Sequence, residues 1–293
     1  RGEIMIVLSV ESSCDETSVS INRDGINILS NVVLSQIDVH KQYGGVVPEL
    51  ASRAHQQNIV PVVDVALKKA GITKDELSCI AFTQGPGLMG SLLVGTSFAK
   101  SLALGLNVPL IDVNHMQAHI LAHFIDEEGF NKPPFPFLAM TISGGHTQIV
   151  KVANHFEMDV IGETIDDAVG EAFDKTAKLL GVEFPGGPQI EILAKKGDPN
   201  KYDLPKPIFN KGGCNLSFAG LKTAILKISK NIKTDQEKFD LAASFQKTVE
   251  EILYKKTKIA FSEFENLNDL KEKIFVVAGG VAANKKIRSM LVN

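Results

Sequence analysis

Hydrophobic residues in this chain follow two rhythms, and the order of those rhythms recurs in its two halves. Ile4–Val10 is an apolar run of strand length, interrupted only by Ser9, the pattern of a buried strand. Thr17–Asn22 then alternates, and Asp24-Gly25 predicts a tight turn into Ile26–Leu34. HKQYGGVVPELASRAH (His40–His55) predicts a glycine turn entering a helix that reaches Lys69, with Pro61 kinking or restarting it. Cys79–Thr83 reads as a second buried strand, Gln84–Gly90 as a glycine loop, Leu92–Leu104 as a helix, Val108–Val113 as a strand and His115–His123 as the opening of a further helix.

Gly129–Pro136, rich in proline, predicts a linker. Beyond it, Phe137–Ile142 reads as a strand, Ile165–Leu180, Phe218–Ser229 and Gln236–Phe264 as helices, and Lys273–Ala278 as a core strand before a glycine loop and a closing helix. LSVESSCDETSVSI (Leu8–Ile21) and FLAMTISGGHTQIVKV (Phe137–Val152) are both strand-turn-strand pieces. IAFTQGPGLMGSLLVGTSFAKSLAL (Ile80–Leu104) and IFVVAGGVAANKKIRSML (Ile274–Leu291) are both strand-glycine-helix pieces. The repetition predicts an α/β protein of two similar lobes, 1–133 and 134–293, the second with a helical insertion. Such lobes are expected to face each other across a cleft lined by the turns and glycine loops. Backbone N–H groups there suit a phosphate-bearing nucleotide.

A net charge of −3 argues against a strongly basic nucleic-acid module while leaving room for a local basic patch. Lys255, Lys256, Lys258, Lys271, Lys273, Lys285, Lys286 and Arg288 make the last quarter locally basic, either a solvated helix face or a surface for tRNA. Cys14, Cys79 and Cys214 have no metal-type spacing, and an odd number leaves one unpaired, which suits a reducing, cytoplasmic setting. No apolar run approaches about 20 residues, so no membrane span is expected. No signal-peptide pattern precedes the first strand.

The sharpest chemical signal is HMQAH (His115–His119). A spacing of four on a helix points both imidazoles the same way, at a distance one metal ion bridges; the alternative is a pair of packed or surface histidines, and His123 continues the row. A metalloprotease of the HExxH type needs a glutamate after the first histidine, where this chain has Met116. In SGGHTQ (Ser143–Gln148) the glycines expose N–H groups to an oxyanion, or else form an ordinary primed hairpin turn. ESSCDET (Glu11–Thr17) sets Asp15 and Glu16 beside hydroxyls, where a carboxylate acts as a base or metal ligand, or simply serves the turn. GPGLMG (Gly85–Gly90) and AGGVAAN (Ala278–Asn284) each join a strand to a helix; Asn284 reads as a ribose or base contact, or as the N-cap of the last helix. Ile165–Gly181 carries acids near a helix start, some complementing the helix dipole, and FPGGP (Phe184–Pro188) fixes a turn.

Taken in order from Val10 to Asn284, these blocks, with LSFAGLKT between them, closely resemble the tRNA N6-adenosine threonylcarbamoyltransferase family in its bacterial form. The resemblance implies a duplicated two-lobed actin/Hsp70-like ATPase fold with ribonuclease H-like sheets and a central nucleotide cleft. It implies acyl transfer from threonylcarbamoyl-adenylate to a tRNA adenosine. His115 and His119 match two ligands of one divalent ion, iron or zinc. Thr141, Ile142, Ser143, Gly144 and Gly145 match the segment that holds the adenylate (or ATP/AMP), and Asp174, Gly187 and Asn284 match further nucleotide contacts. Asp15 and Glu16 match acidic residues important for activity. The implied partners are tRNA, a non-catalytic paralogue of the TsaB type and a small P-loop ATPase of the TsaE type. The family's third metal ligand, an aspartate in an Asn-Gly-Ala block, is expected beyond Asn293. Two other readings stand beside this one: a metal-dependent peptidase, and a non-catalytic actin-like nucleotide-binding partner.

Overall fold

The computed structural model describes residues 4–126, 129, 131–267 and 274–292. The chain divides into two compact units, Arg1–Lys132 and Pro133–Asn293.

The first unit holds β1 (Ile6–Glu11), β2 (Glu16–Arg23), β3 (Asn27–Ser35), α1 (Ile37–Lys41), α2 (Pro48–Ala70), β4 (Cys79–Gly85), α3 (Met89–Leu106), β5 (Leu110–Asn114) and α4 (His115–Leu121). Its sheet runs β3-β2-β1-β4-β5. β1 is antiparallel to β2 and parallel to β4, with Val10 beside Phe82. Asp24 turns the β2–β3 hairpin with φ +56° before Gly25 at +78°, the left-handed pair that a primed turn needs. Leu8, Val10, Val19, Ile21 and Ile80 meet Ile59, Val62 and Ala66 of α2 and Ala99 and Ala103 of α3 in one core. Burial of such side chains contributes roughly 1.5–3 kcal/mol each. Pro61 lies inside an unbroken 23-residue α2, so no restart occurs there. By length and composition alone α3 passes for a membrane span, with a mean hydropathy of 1.3 over 18 residues, although Ser, Thr and Lys interrupt its apolar residues. Its small-residue edge packs inward: a Cβ on Gly95 would collide with the Ser12 hydroxyl.

The second unit holds β6 (Phe137–Ile142), β7 (Thr147–Val152), β8 (Met158–Glu163), α5 (Val169–Leu179), α6 (Gly186–Ala194), α7 (Ala219–Ser229), α8 (Asp235–Leu267), β9 (Phe275–Ala278) and α9 (Lys285–Val292). Its sheet runs β8-β7-β6-β9, with β6 antiparallel to β7 and parallel to β9. This is the order and polarity of β3-β2-β1-β4. The duplication read from the sequence is therefore a duplication of topology, and β5 has no counterpart among the described residues. Every residue of β6 is buried. Phe173 of α5 meets Phe245 of α8 edge-on, ring centroids 4.9 Å apart, within the core.

Two expectations are corrected here. The helix predicted from Ile165 begins at Val169. Asp166 does not serve that helix: its carboxylate accepts the Phe218 and Ala219 N–H groups at 2.7 and 3.1 Å and the Ser217 hydroxyl, capping α7 instead. Lys256 does not belong to a basic surface. It is fully buried, its Nζ donating to the carbonyls of Lys211 and Gly213 at 2.9 and 3.1 Å. Lys255, Lys258, Lys285, Lys286 and Arg288 are exposed, while Lys271 and Lys273 lie outside the described residues.

Candidate functional site

In the first unit, chemistry collects at the C-terminal ends of β1, β4 and β5, where ligands bind in open α/β sheets. Asn114 ends β5 and caps α4, its side chain accepting from Met116 N and Gln117 N at 2.9 and 3.1 Å. This starts the helix at His115, so His115 and His119 share a face. Their Nε2 atoms lie 3.2 Å apart, with the rings at 77°. Two imidazole nitrogens on one tetrahedral zinc, each about 2.0–2.1 Å from the ion, stand roughly 3.3 Å apart, so the pair fits a shared ion. Met116 turns into the core. His123 leaves the row: α4 gives way to a 3-10 turn at Ala122, and its Nδ1 lies 3.1 Å from the Ile120 carbonyl. Among the described residues no group of three His, Cys, Asp or Glu is poised around one ion.

Behind His115 stands Glu11, a residue that sequence reasoning passed over. Its Oε2 is 3.5 Å from His115 Nδ1 and accepts from the Thr83 hydroxyl, and its Oε1 accepts from Ser13 N at 2.6 Å. Burial pushes the Glu11 pKa up, but the hydrogen bonds from His115, Ser13 and Thr83 outweigh it and hold the carboxyl at about 2. Glu11, Thr83, His115 and His119 line part of a 370 Å³ cavity.

Asp15 lies in the turn between β1 and β2, and Glu16 opens β2. Burial, then the neighbouring Asp15 and Glu11 carboxylates, raise the Glu16 pKa. The turn is held from below. Gly87 presses on it so closely that a Cβ would come 2.6 Å from the Ser13 carbonyl oxygen. His55, fully buried in α2, faces the Cys14 carbonyl through Nε2 at 3.0 Å and Thr17 Oγ1 through Nδ1 at 2.8 Å. A carbonyl only accepts, so Nε2 carries the hydrogen and Nδ1 takes the threonine's. Burial lowers the His55 pKa, which keeps the ring neutral.

In the second unit the same strand ends, those of β6 and β9, present backbone rather than side chains. Gly144 and Gly145 are exposed, and neither has positive φ. The primed hairpin turn considered from the sequence is therefore absent. A Cβ on either would meet nothing within 4 Å, so neither backbone conformation nor packing explains these glycines. Around them packing is tight: a Cβ on Gly170, in the first turn of α5, would lie 2.5 Å from the Ser143 oxygen and 2.7 Å from Gly144 Cα. Gly279, at φ +96°, would meet the Ile142 oxygen at 2.5 Å. Thr141 and Ile142 are wholly buried, which leaves their side chains no exposed surface. Asp174 accepts from Gly186 N at 2.7 Å and so ties the start of α6 to α5, while Gly187 beside it has open space. Asn284 is 7% exposed and caps α9: its amide oxygen accepts from Lys286 N and Ile287 N, and its nitrogen donates to Gln246.

The duplicated β-β-β-α-β frame is that of an actin/Hsp70-like ATPase-fold protein. A solved structure of component A of the Acidaminococcus fermentans (R)-2-hydroxyglutaryl-CoA dehydratase covers 99% of this chain and 88% of its own, with TM-score 0.52 at 15% identity, a likeness of fold alone. The family model of TsaD, tRNA N6-adenosine threonylcarbamoyltransferase, matches residues 27–293. The protein of that name from Pelagibacter ubique is 62% identical over 292 residues, 98% of this chain and 81% of the relative. Its namesake from Christiangramia forsetii is 59% identical, covering 97% and 83%. This chain belongs to the tRNA N6-adenosine threonylcarbamoyltransferase family.

Proposed function

We propose that this protein transfers the threonylcarbamoyl group from threonylcarbamoyl-adenylate to N6 of the adenosine 3′ of the anticodon in tRNAs reading ANN codons. The observation that carries the reading is the His115–His119 pair, Nε2 atoms 3.2 Å apart, in a chain whose close relatives bear that activity's name. In the reaction N6 forms a bond to the carbamoyl carbon, the C–O bond to the adenylate phosphate breaks, AMP leaves with the electron pair, and N6 loses a proton. A divalent ion, iron or zinc, held by His115 and His119 supplies Lewis-acid polarisation of the carbonyl when bound. The Glu16 carboxylate, made more basic by burial and by Asp15 beside it, takes the N6 proton. The backbone N–H groups of Gly144 and Gly145 serve the phosphate oxygens, with the start of α5 packed behind them. Asp174 and Gly187 shape the nucleotide site at the start of α6, and Asn284 caps α9. A cytoplasmic location, a TsaB-type paralogue and a TsaE-type P-loop ATPase complete the proposal.

The test is nucleoside analysis of tRNA incubated with the protein, threonylcarbamoyl-adenylate, a divalent metal and the two partners. Threonylcarbamoyladenosine is expected, and its loss in His119→Ala. No modified nucleoside with every component present overturns the reading.

A further inference from the structure

His115 has two ring nitrogens with different surroundings. Nε2 faces His119, whereas Nδ1 faces Glu11 Oε2 at 3.5 Å and the Ser13 hydroxyl at 3.4 Å. A carboxylate offers only lone pairs, so the contact is favourable when Nδ1 carries the hydrogen, and the Nε2 lone pair then points at its neighbour. We propose that Glu11 is a positioning residue that fixes His115 in the Nδ1–H tautomer and so keeps Nε2 available as a metal ligand. The proposal rests on the histidine pair being the ligand set.

Glu11 is itself fixed from three sides. It is the last residue of β1, one step beyond the Val10–Phe82 register pair, so Thr83 of β4 stands beside it and donates its hydroxyl to Oε2. Ser13 N occupies Oε1. The remaining side of the carboxylate is the one that meets His115. An aspartate, one methylene shorter, leaves the imidazole out of reach. A glutamine fails differently: with its oxygen on Ser13 N–H, its NH₂ faces His115 Nδ1 and drives the hydrogen to Nε2, the nitrogen that must ligate. Turned the other way, its NH₂ confronts the Ser13 N–H, donor against donor. Carboxylates that orient metal-binding imidazoles in this way typically contribute 10–100-fold to metal affinity.

The experiment has one arm without any variant. Long-range ¹H–¹⁵N correlation spectra of the metal-free wild-type chain, recorded well above the ordinary histidine pKa, are expected to show His115 with hydrogen on Nδ1. In Glu11→Gln the ring is expected to shift to the Nε2–H form. Zn²⁺ affinity, measured by competition with a chromophoric chelator, is expected to fall about 10–100-fold. Thr83→Val, which loosens the carboxylate without touching the imidazole, should lower affinity less. A wild-type Nε2–H tautomer, or Zn²⁺ affinity in Glu11→Gln within about twofold of wild type, overturns the proposal. If Glu11→Gln does not fold, the wild-type spectrum and Thr83→Val decide. His119→Ala separates the two levels: retained Zn²⁺ affinity there sinks the ligand reading itself, whatever the tautomer of His115.

Discussion

The β1–β2 and β6–β7 turns occupy the same place in the same topology, and they are built in opposite ways. Each follows the strand that is antiparallel to one neighbour and parallel to another, and each is met from behind by a glycine whose Cβ would strike its backbone: Gly87 at Ser13 and Gly170 at Ser143. The first turn is filled with side chains, Glu11, Ser12, Ser13 and Asp15, braced by His55 and Ser91. The second is two bare glycines facing open space. A supporting glycine is common to both because another segment, the β4–α3 loop in the first unit and the first turn of α5 in the second, approaches the turn closely there. The exposed surface is where they differ, one presenting titratable groups and the other backbone amides.

The comparison breaks most visibly at its supports. Gly170→Ala adds a methyl 2.5 Å from the Ser143 oxygen, and overpacking of this kind costs about 1–3 kcal/mol. Gly144→Ala, at a residue that touches Gly170 but whose own Cβ direction is unobstructed, should stay within about 0.5 kcal/mol of wild type. Urea denaturation of the two variants side by side checks the contrast; equal stabilities would show that the exposed glycines are structural after all.

Next in size is the effect of Gly145→Val on ligand. A Cβ there meets nothing within 4 Å, so folding should hold, but the branched side chain is expected to screen the adjacent amides from a phosphate. AMP binding by calorimetry should weaken about tenfold, or about 1.4 kcal/mol. Unchanged affinity would remove this turn from the nucleotide site.

The smallest effect sharpens the other turn. Because burial lowers the His55 pKa below its value in the unfolded chain, the unfolded state binds more protons as pH falls. The stability that neutral His55 contributes is complete above the unfolded pKa of about 6.5 and declines as pH drops below it. Denaturation midpoints measured downward through that range should fall more for wild type than for His55→Gln, whose side chain does not titrate. Parallel curves would show that His55 does not brace the turn electrostatically.

Much of this was legible in the chain itself. Apolar runs and alternation located eight of the nine described strands, and the repeated order of motifs anticipated the matching sheets. β8 escaped because Met158–Glu163 is a half-exposed edge strand with weak alternation. The histidine pair was visible because a helix makes spacing into geometry; His123 failed the same test only because α4 tightens at Ala122. Glu11 and Asp166 were not legible in their actual roles. Glu11 meets His115 across 104 positions of chain, and Asp166 caps a helix 52 residues away, contacts set by strand register and not by local pattern. Likewise, the sequence could name Gly144-Gly145 as a turn but could not say that the turn lacks positive φ.

Lys256 gives the second unit a built-in clock. Its ammonium is sealed beneath α8 with two carbonyl oxygens as hydrogen-bond acceptors, and burial lowers its pKa. An amine-reactive reagent will mark exposed lysines such as Lys255 and Lys258 in the folded protein. It will reach Lys256 only when α8 releases the 211–213 segment. The delay between the two kinds of labelling therefore reports how often this corner opens, with no probe attached to the molecule beforehand.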